Sequence, residues 1–511
     1  MSGPVRVRAA LLAGSVMCGG CGLILGLDEF TDAPVGTGGG GAGQGGGGLG
    51  GGGGGFGGNG GEGGGGGAGQ GGGGGLGGGE AVWSRIYGDA YQQIPTGVAV
   101  DGAGDIFLAG SFQGTIQFGD TTLISAGGSD IFLAKLDGAG NALWSKQFGD
   151  ATDGQSAHAI AVDTSGNVVI AGSFDGNVKL GATTFVSSGL GDAYVAKFDP
   201  SGNHLWSKHL SGPYFEIASA IAIDPQTGDV VVTGSFDGTI SFGNGTLSST
   251  GMADRDVFIA KLASTTGISL WRRDYGDNSN QSPNGIATDP AGNIIVGGSF
   301  LGVMAFGSTT ITNNTNMTDI FLARLDAGGN ADWAKRFGTS GADRPGDIAR
   351  DAAGNIFMTG YSEASIDFGC DPLAYSGGQD AFLVRFDSAG QCTWSDPLGG
   401  PGNEKGTALA IDSSGDVIVT GTFTESILVG GETLSAQGHT DIVIAKLSGT
   451  GAHRWSKGLG GTGFDNATGT AISPGSDDII LAGETDGSLD CGAGPLTSAG
   501  SSDVVLARLA P

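Results

Sequence analysis

From about residue 81 onward, short apolar segments recur along the chain in a fixed order of four. The first is brief, as in AIAVD at 159–163 and AIAID at 220–224. The second is apolar on both alternations, as in DIFLAGSF at 105–112, VVVTGSF at 230–236 and VIVTGTF at 417–423. The third reads DIFLAKLD at 130–137, DAYVAKFD at 192–199 and DVVLARLA at 503–510, and the fourth carries a tryptophan, as in HLWSKHL at 204–210. A strand that is apolar on both alternations has to be covered on both faces. A four-stranded sheet stacked between two similar sheets meets that demand.

The tryptophans give the period. Trp83, Trp144, Trp206, Trp271, Trp333, Trp394 and Trp455 follow one another at 61, 62, 65, 62, 61 and 61 residues. A fixed period marks a repeat architecture in which each unit buries its apolar face on its neighbours. Short strands, Gly-rich turns and one aromatic per unit predict an all-β, seven-bladed propeller with four-stranded blades. A β-solenoid would need shorter rungs, and separate β domains would need more than 61 residues each. The seventh unit stops after its third strand, and the missing fourth lies at the other end, AVWSRIYG at 81–88. Lending it to the last blade closes the ring and removes two sheet edges.

Units of the form AIAVD…GNVVIAGSF…DAYVAKFDPSGNHLWSK resemble the SBBP-type β-propeller repeats of bacterial surface proteins, over 81–511. That resemblance implies a fold and an extracytoplasmic setting, and it carries no catalytic motif. AKLASTTGISLW at 260–271 is similar to the tryptophan-docking pattern of quinoprotein propellers, in which the ring packs between adjacent blades. The similarity stops there, because their adjacent cysteine pair is missing. No cofactor and no metal are expected.

The N-terminus changes the picture from fold to address. Arg6 and Arg8 precede the apolar run AALLAGSVM, then CGGCGLILG. A basic start, an apolar core and small residues before a cleavage point make a secretory signal. It resembles a bacterial lipoprotein signal over 1–20, with Cys21 as the lipidated first residue, although Cys18 stands where an aliphatic residue is usual. An uncleaved anchor over the uncharged run 9–27 is the competing reading. A short mature N-terminus, 21–35, leads into 36–80, where 34 of the residues from 36 to 79 are glycine. Such a segment has too little apolar surface to offset its ordering entropy and is expected to be a disordered tether.

The formal charge is −28, which argues against nucleic acid and anionic membrane surfaces as partners of the folded part. Candidate chemistry is sparse. His158, His204, His209, His439 and His453 are scattered, with His204 and His453 at one surface repeat position. Six first strands end in aspartate (Asp101, Asp163, Asp224, Asp289, Asp351, Asp412), either a carboxylate ring at the channel mouth or hairpin caps. Each third strand starts with aspartate, from Asp130 to Asp503, and carries a basic residue five positions on, from Lys135 to Arg508. These are expected to be turn caps and bridges between blades. Cys491 takes a core position, and Cys370 and Cys392 form a disulfide only if the segment around SIDFG runs down the blade as an outer strand.

One face of the ring should carry minimal turns such as DTSGN and DPSGN. The other should carry the varied fourth-to-first loops and the long second-to-third connections, and is expected to bind. The expected protein is therefore a monomeric, lipid-anchored, non-enzymatic recognition module at the outer membrane or cell surface, taking protein or carbohydrate. An outer-membrane assembly scaffold and a propeller hydrolase or lyase are the alternatives.

Overall fold

The computed structural model describes residues 78–151, 154–251 and 254–511. Cys21, the signal and the tether up to residue 77 lie outside the described residues. The described part holds seven four-stranded antiparallel sheets and six two-stranded ones. Blade one comprises Gln93–Val100, Ile106–Phe112, Asp130–Leu136 and Ala142–Phe148. Blades two to six repeat that order, beginning at Gln155, Glu216, Gln281, Asp343 and Glu404. Blade seven joins Asp465–Ile472, Ile479–Thr485 and Asp503–Leu509 to the N-terminal strand Ala81–Tyr87. The first strands touch in a closed cycle, the seventh meeting the first. The ring is thus closed by a strand from the opposite end of the chain.

The core lies between blades. Phe112, Ile116 and Phe132 of blade one share a cluster with Ile480, Ala482, Val504 and Leu506 of blade seven. Equivalent clusters fill the other interfaces. Burying a phenylalanine such as Phe112, 0% exposed, contributes about 1.5–3 kcal/mol. Each first strand carries a bulge between its third and fifth residues, as at Pro95/Gly97. A bulge adds local twist and breaks the ladder, which suits an inner strand at the crowded axis. One backbone hydrogen bond recurs at every boundary, from the first residue of a first strand to the residue before the third-strand aspartate: Gln93 N–H to Ser502 O at 2.7 Å, Glu216 to Gly191 at 2.9 Å, Glu404 to Gln379 at 2.6 Å.

The second-to-third connection departs from expectation. It does not cap the loop face but forms a two-stranded hairpin, Thr115–Phe118 with Thr121–Ile124 in blade one, that runs down the outer rim. Gln147 of the fourth strand bonds both ways to Ile124, at 2.7 and 2.9 Å. At the tip Gly119 sits against Ala142, the first residue of the fourth strand. TIQF buries every second side chain and TTLI buries Leu123, so the flap has one apolar face to lay on the rim. Blade five keeps only the bridge Ile366–Leu373, and there Cys370 and Cys392 are disulfide-bonded with α-carbons 5.5 Å apart. The bond staples the flap tip to the start of the fourth strand Cys392–Leu398.

Candidate functional site

The two ends of the ring differ chemically, and the turn end is structural. Its tryptophans each reach the third-to-fourth turn of the next blade: Trp83 donates to Gly138 O at 3.2 Å, Trp144 to Pro200 O at 3.0 Å, Trp206 to Ser264 O at 2.9 Å, Trp271 to Ala327 O at 3.1 Å and Trp394 to Gly449 O at 3.1 Å. Trp333 packs on the turn glycine Gly390. Trp455 faces blade seven, where that turn is cut by the chain ends, and packs on Gly78 and Gly79 instead. Gly79 has φ +73°, as Gly140 has +80° and Gly202 +79°. It also donates to Ala510 O at 2.9 Å, while Ala510 N–H donates to Glu80 O at 2.8 Å. The last three residues of the expected tether thus rebuild the missing turn.

The aspartate and basic series prove to be partners of each other. Third-strand basic residues were expected to bridge blades, but most pair inside their own blade with the aspartate that ends the first strand. Lys135 meets Asp101 at 3.2 Å, Lys197 meets Asp163 at 2.8 Å, Lys261 meets Asp224 at 2.5 Å and Lys446 meets Asp412 at 2.8 Å. Five residues carry the third strand about 17 Å, from the loop end down to the turn that this aspartate opens. Only Lys197 and Arg508 also reach a neighbouring turn, at Ser264 O and Gly138 O. Asp101, Asp163, Asp224, Asp289 and Asp412 are 2–8% exposed and accept turn N–H groups, so they are caps rather than an open carboxylate ring. Third-strand aspartates likewise cap the loop entering their own strand, as Ala126 N–H to Asp130 at 2.9 Å.

Histidines do not converge. His158 bonds Ser173 Oγ at 2.9 Å and is pushed down to about 4 by burial. His209 meets Asp192 at 2.5 Å, and His439 stacks on Phe464 with centroids 4.9 Å apart. His204 and His453 are not plain surface positions: both lie half-buried beneath the flap-tip glycines Gly181 and Gly430. Cys491 is 2% exposed in the core beside Leu489. Among the described residues no three His, Cys, Asp or Glu side chains are grouped to hold a metal.

The loop end is where exposed aromatic groups gather, among the described residues. Tyr91, Tyr214, Phe215 and Phe464 lie on fourth-to-first loops, and Leu190, Met317 and Tyr375 on the approaches to third strands. Phe215 carries the Arg255 guanidinium 5.6 Å above its ring. Beneath these loops each boundary buries a pair of polar side chains: a third-strand aspartate and the first residue of the next first strand. At three boundaries the second partner is glutamine, and its amide donates to a loop aspartate: Gln93 to Asp89, Gln155 to Asp150, Gln281 to Asp277. At the other four it is an acid, Glu216, Asp343, Glu404 or Asp465, and no aspartate stands at that place in the loop. At Asp343, Glu404 and Asp465 loop N–H groups supply the bond, from Thr339 at 2.7 Å, Gly400 at 2.8 Å and Gly461 at 3.0 Å. Burial and then the facing Asp192, through charge and a shared proton, push Glu216 up to about 9. Burial, with Asp380 adding repulsion, takes Glu404 to about 8.

Sequence reading missed one feature of this end. The second residue of each first strand lies opposite the sixth of the second strand, giving Ile94/Ser111, Ser156/Ser173, Ile217/Ser235 and Ser282/Ser299 in blades one to four. Blades five to seven hold Arg344/Tyr361, Lys405/Thr422 and Asn466/Glu484 at these places. The signal was available as a departure from the repeat, which a search for what recurs passes over.

Residues 332–367 match the family model described as SBBP, a beta-propeller repeat. Among curated relatives, the chain is 27% identical over 380 residues to regulatory protein FlaEY of Caulobacter vibrioides, covering 68% of this chain and 38% of that protein. It is 25% identical over 408 residues to a WD repeat-containing protein of Acanthamoeba polyphaga mimivirus, covering 65% and 29%. Alignment thus spans well under half the length of either relative. Among solved structures, BamB from Moraxella catarrhalis is similar at TM-score 0.36 and 14% identity, covering 84% of this chain and 99% of that one. Quinohemoprotein alcohol dehydrogenase from Comamonas testosteroni is similar at TM-score 0.39 and 10% identity, covering 83% and 76%. Neither likeness bears on function. With its strand order and its closing strand, the described part of the chain is a seven-bladed β-propeller, and one of its repeats, over residues 332–367, matches the SBBP beta-propeller repeat.

Proposed function

We propose that the protein is an exported, membrane-tethered and non-enzymatic propeller that recognises a protein or carbohydrate with its loop end. The observation that carries this reading is the asymmetry of the ring. The turn end is occupied by tryptophan docking and buried ion pairs, and its exposed apolar groups are aliphatic, such as Leu143 and Leu270, whereas the loop end presents the exposed aromatics, with Tyr91 at 59% and Phe464 at 49% exposure. Aromatic groups on loops held by a rigid scaffold supply contact area at low entropic cost. The −28 charge keeps the body soluble and disfavours polyanions. Lipidation at Cys21 would tether it, and the glycine tract would set its reach.

The test uses the chain from residue 77 onward, in wild-type form and with Tyr91, Phe215 and Phe464 each changed to serine. Glycan arrays and crosslinking on intact cells should show a partner that the wild type binds and the serine variants lose. Equal binding by all forms would sink the loop-end reading. Protection of the propeller from added protease on intact cells would place it on the periplasmic side and favour an assembly scaffold.

A further inference from the structure

In a repeat protein, structural roles recur around the ring, so a residue that breaks the repeat in one place needs a local reason. Blades five and six break it together at the loop end of the channel. Arg344 stands directly across the ladder from Tyr361, so the two side chains share one sheet face. Lys405, from the next blade, holds its ammonium 5.2 Å from the centroid of that same ring. Among the described residues neither Arg344 nor Lys405 has a carboxylate within 4.0 Å. The neighbouring acid, Glu363, is already taken by Gln379 Nε2 at 2.9 Å and Ala342 N–H at 3.2 Å. Arg344 Nε donates to the Thr318 hydroxyl of blade four at 3.4 Å, so neither cation has an ion-pair partner in a chain with 51 acidic and 23 basic residues, where such partners are plentiful. Burial, with repulsion from Arg344 added, holds Lys405 below the ordinary lysine range.

We propose that Arg344 and Lys405 form an anion site at the channel mouth, which takes the carboxylate of a small monoanionic ligand. The guanidinium fork matches the two oxygens of a carboxylate, and the ammonium adds a point charge. Arg344, Lys405 and Glu363 sum to one positive charge, which suits a monoanion better than a dianionic phosphate. Asn466 and Glu484 continue the arc on blade seven, with Glu484 engaged by Asn466 at 3.2 Å and Ser502 at 2.6 Å. Burial pushes Glu484 up against the hydrogen bonds from Ser502 and Asn466 that pull it down. The proposal rests on the loop end being the recognition face, and it names one chemical group of the ligand. A sugar acid and a peptide chain end both offer that group.

The experiment is calorimetric titration at low salt with D-glucuronate and N-acetylalanine, each against its neutral amide, and with inorganic phosphate at pH 8. Wild type should bind at least one of the two carboxylates, the amides at least tenfold more weakly, and phosphate no better. Which carboxylate binds identifies the source. Arg344→Ser and Lys405→Ser recreate what blades two and four hold at this place, Ser156 and Ser282, so both should fold; each should weaken binding at least tenfold, and Lys405→Arg should restore it. No carboxylate binding up to about 50 mM, or binding unchanged in both serine variants, overturns the site. If carboxylate binding is lost in these variants while they still capture the partner, the anion site stands and its link to partner recognition falls. If only the aromatic substitutions abolish partner capture and no carboxylate binds, the recognition face stands without this site.

Discussion

Changing Glu216 to glutamine should make the domain less sensitive to alkali, and the size of the effect follows from its surroundings. Glu216 is 0% exposed, its two carboxylate oxygens have no donor, and it faces Asp192, also 0% exposed. Against the desolvation that would raise it, hydrogen bonds from His209 and Ser188 hold Asp192 below the usual carboxylate range. Asp192 is therefore the ionised partner, and Glu216 carries the proton. In the folded protein Glu216 lets that proton go at about 9, while in the unfolded chain it does so near 4.5. The folded state binds one proton more than the unfolded state throughout that window. Its stabilisation is complete below pH 4.5, falls by about 1.4 kcal/mol per pH unit above it, and is gone above 9. Between pH 6 and pH 8 the loss attributable to this group is roughly 3 kcal/mol.

Glutamine already occupies the equivalent place in blades one, two and four, so Glu216→Gln keeps the volume and removes only the titration. Denaturant midpoints measured at half-unit steps from pH 5 to pH 9 check the reasoning. The difference in unfolding free energy, variant minus wild type, should rise steadily towards alkali. Parallel profiles for the two proteins would refute the shared proton, whatever their absolute stabilities.

Deleting residues up to 87 should abolish cooperative folding because blade seven loses its fourth strand, whereas deletion up to 76 should leave the melting temperature unchanged; scanning calorimetry of both decides. Gly78→Val and Gly79→Val should each cost more than about 1 kcal/mol, since a side chain at either place meets Trp455 and Gly79 has positive φ, while Gly75→Val should be neutral in the same melts. Losing the Cys370–Cys392 bond, which closes a separation of 22 residues, should lower stability by about 3 kcal/mol, as read from denaturation of Cys370→Ser with Cys392→Ser. Cys21→Ala should abolish labelled palmitate incorporation; labelling that persists would point to Cys18.

The fold was legible because its causes are repeated seven times. Strands apolar on both alternations admit few coverings, and the tryptophan period counts them. The odd strand at 81–87 could be assigned because the last unit lacked one. What escaped was whatever depends on where a segment lies rather than what it contains. TIQFGDTTLI alternates as a hairpin should, yet nothing in it says that the hairpin folds down the rim, and that placement decides whether Cys370 reaches Cys392. Similarly, Gly78 and Gly79 cannot be told by composition from the glycines before them. They differ because Trp455 on blade six packs on them, at the place where the other docking tryptophans meet a third-to-fourth turn.

The same logic explains why the candidate site was hidden while the scaffold was plain. Seven copies of Asp, Lys and Trp at matching places are visible, and their recurrence is itself the argument for a structural role: Lys135 and Asp101 do in blade one what Lys446 and Asp412 do in blade six. A closed ring of near-identical units has no preferred direction, so any ligand smaller than the ring must be read by what differs between blades. Those differences are concentrated. Blades one to four keep Ile or Ser at the channel mouth, and blades five to seven replace them with Arg344, Lys405 and Asn466. The exposed Phe464 and Tyr91 stand at the two boundaries of blade seven, next to that arc. The channel mouth at the loop end therefore has a charged arc over blades five to seven, and the carboxylate is expected to be read there, while the exposed Tyr214 and Phe215 between blades two and three add contact outside that arc.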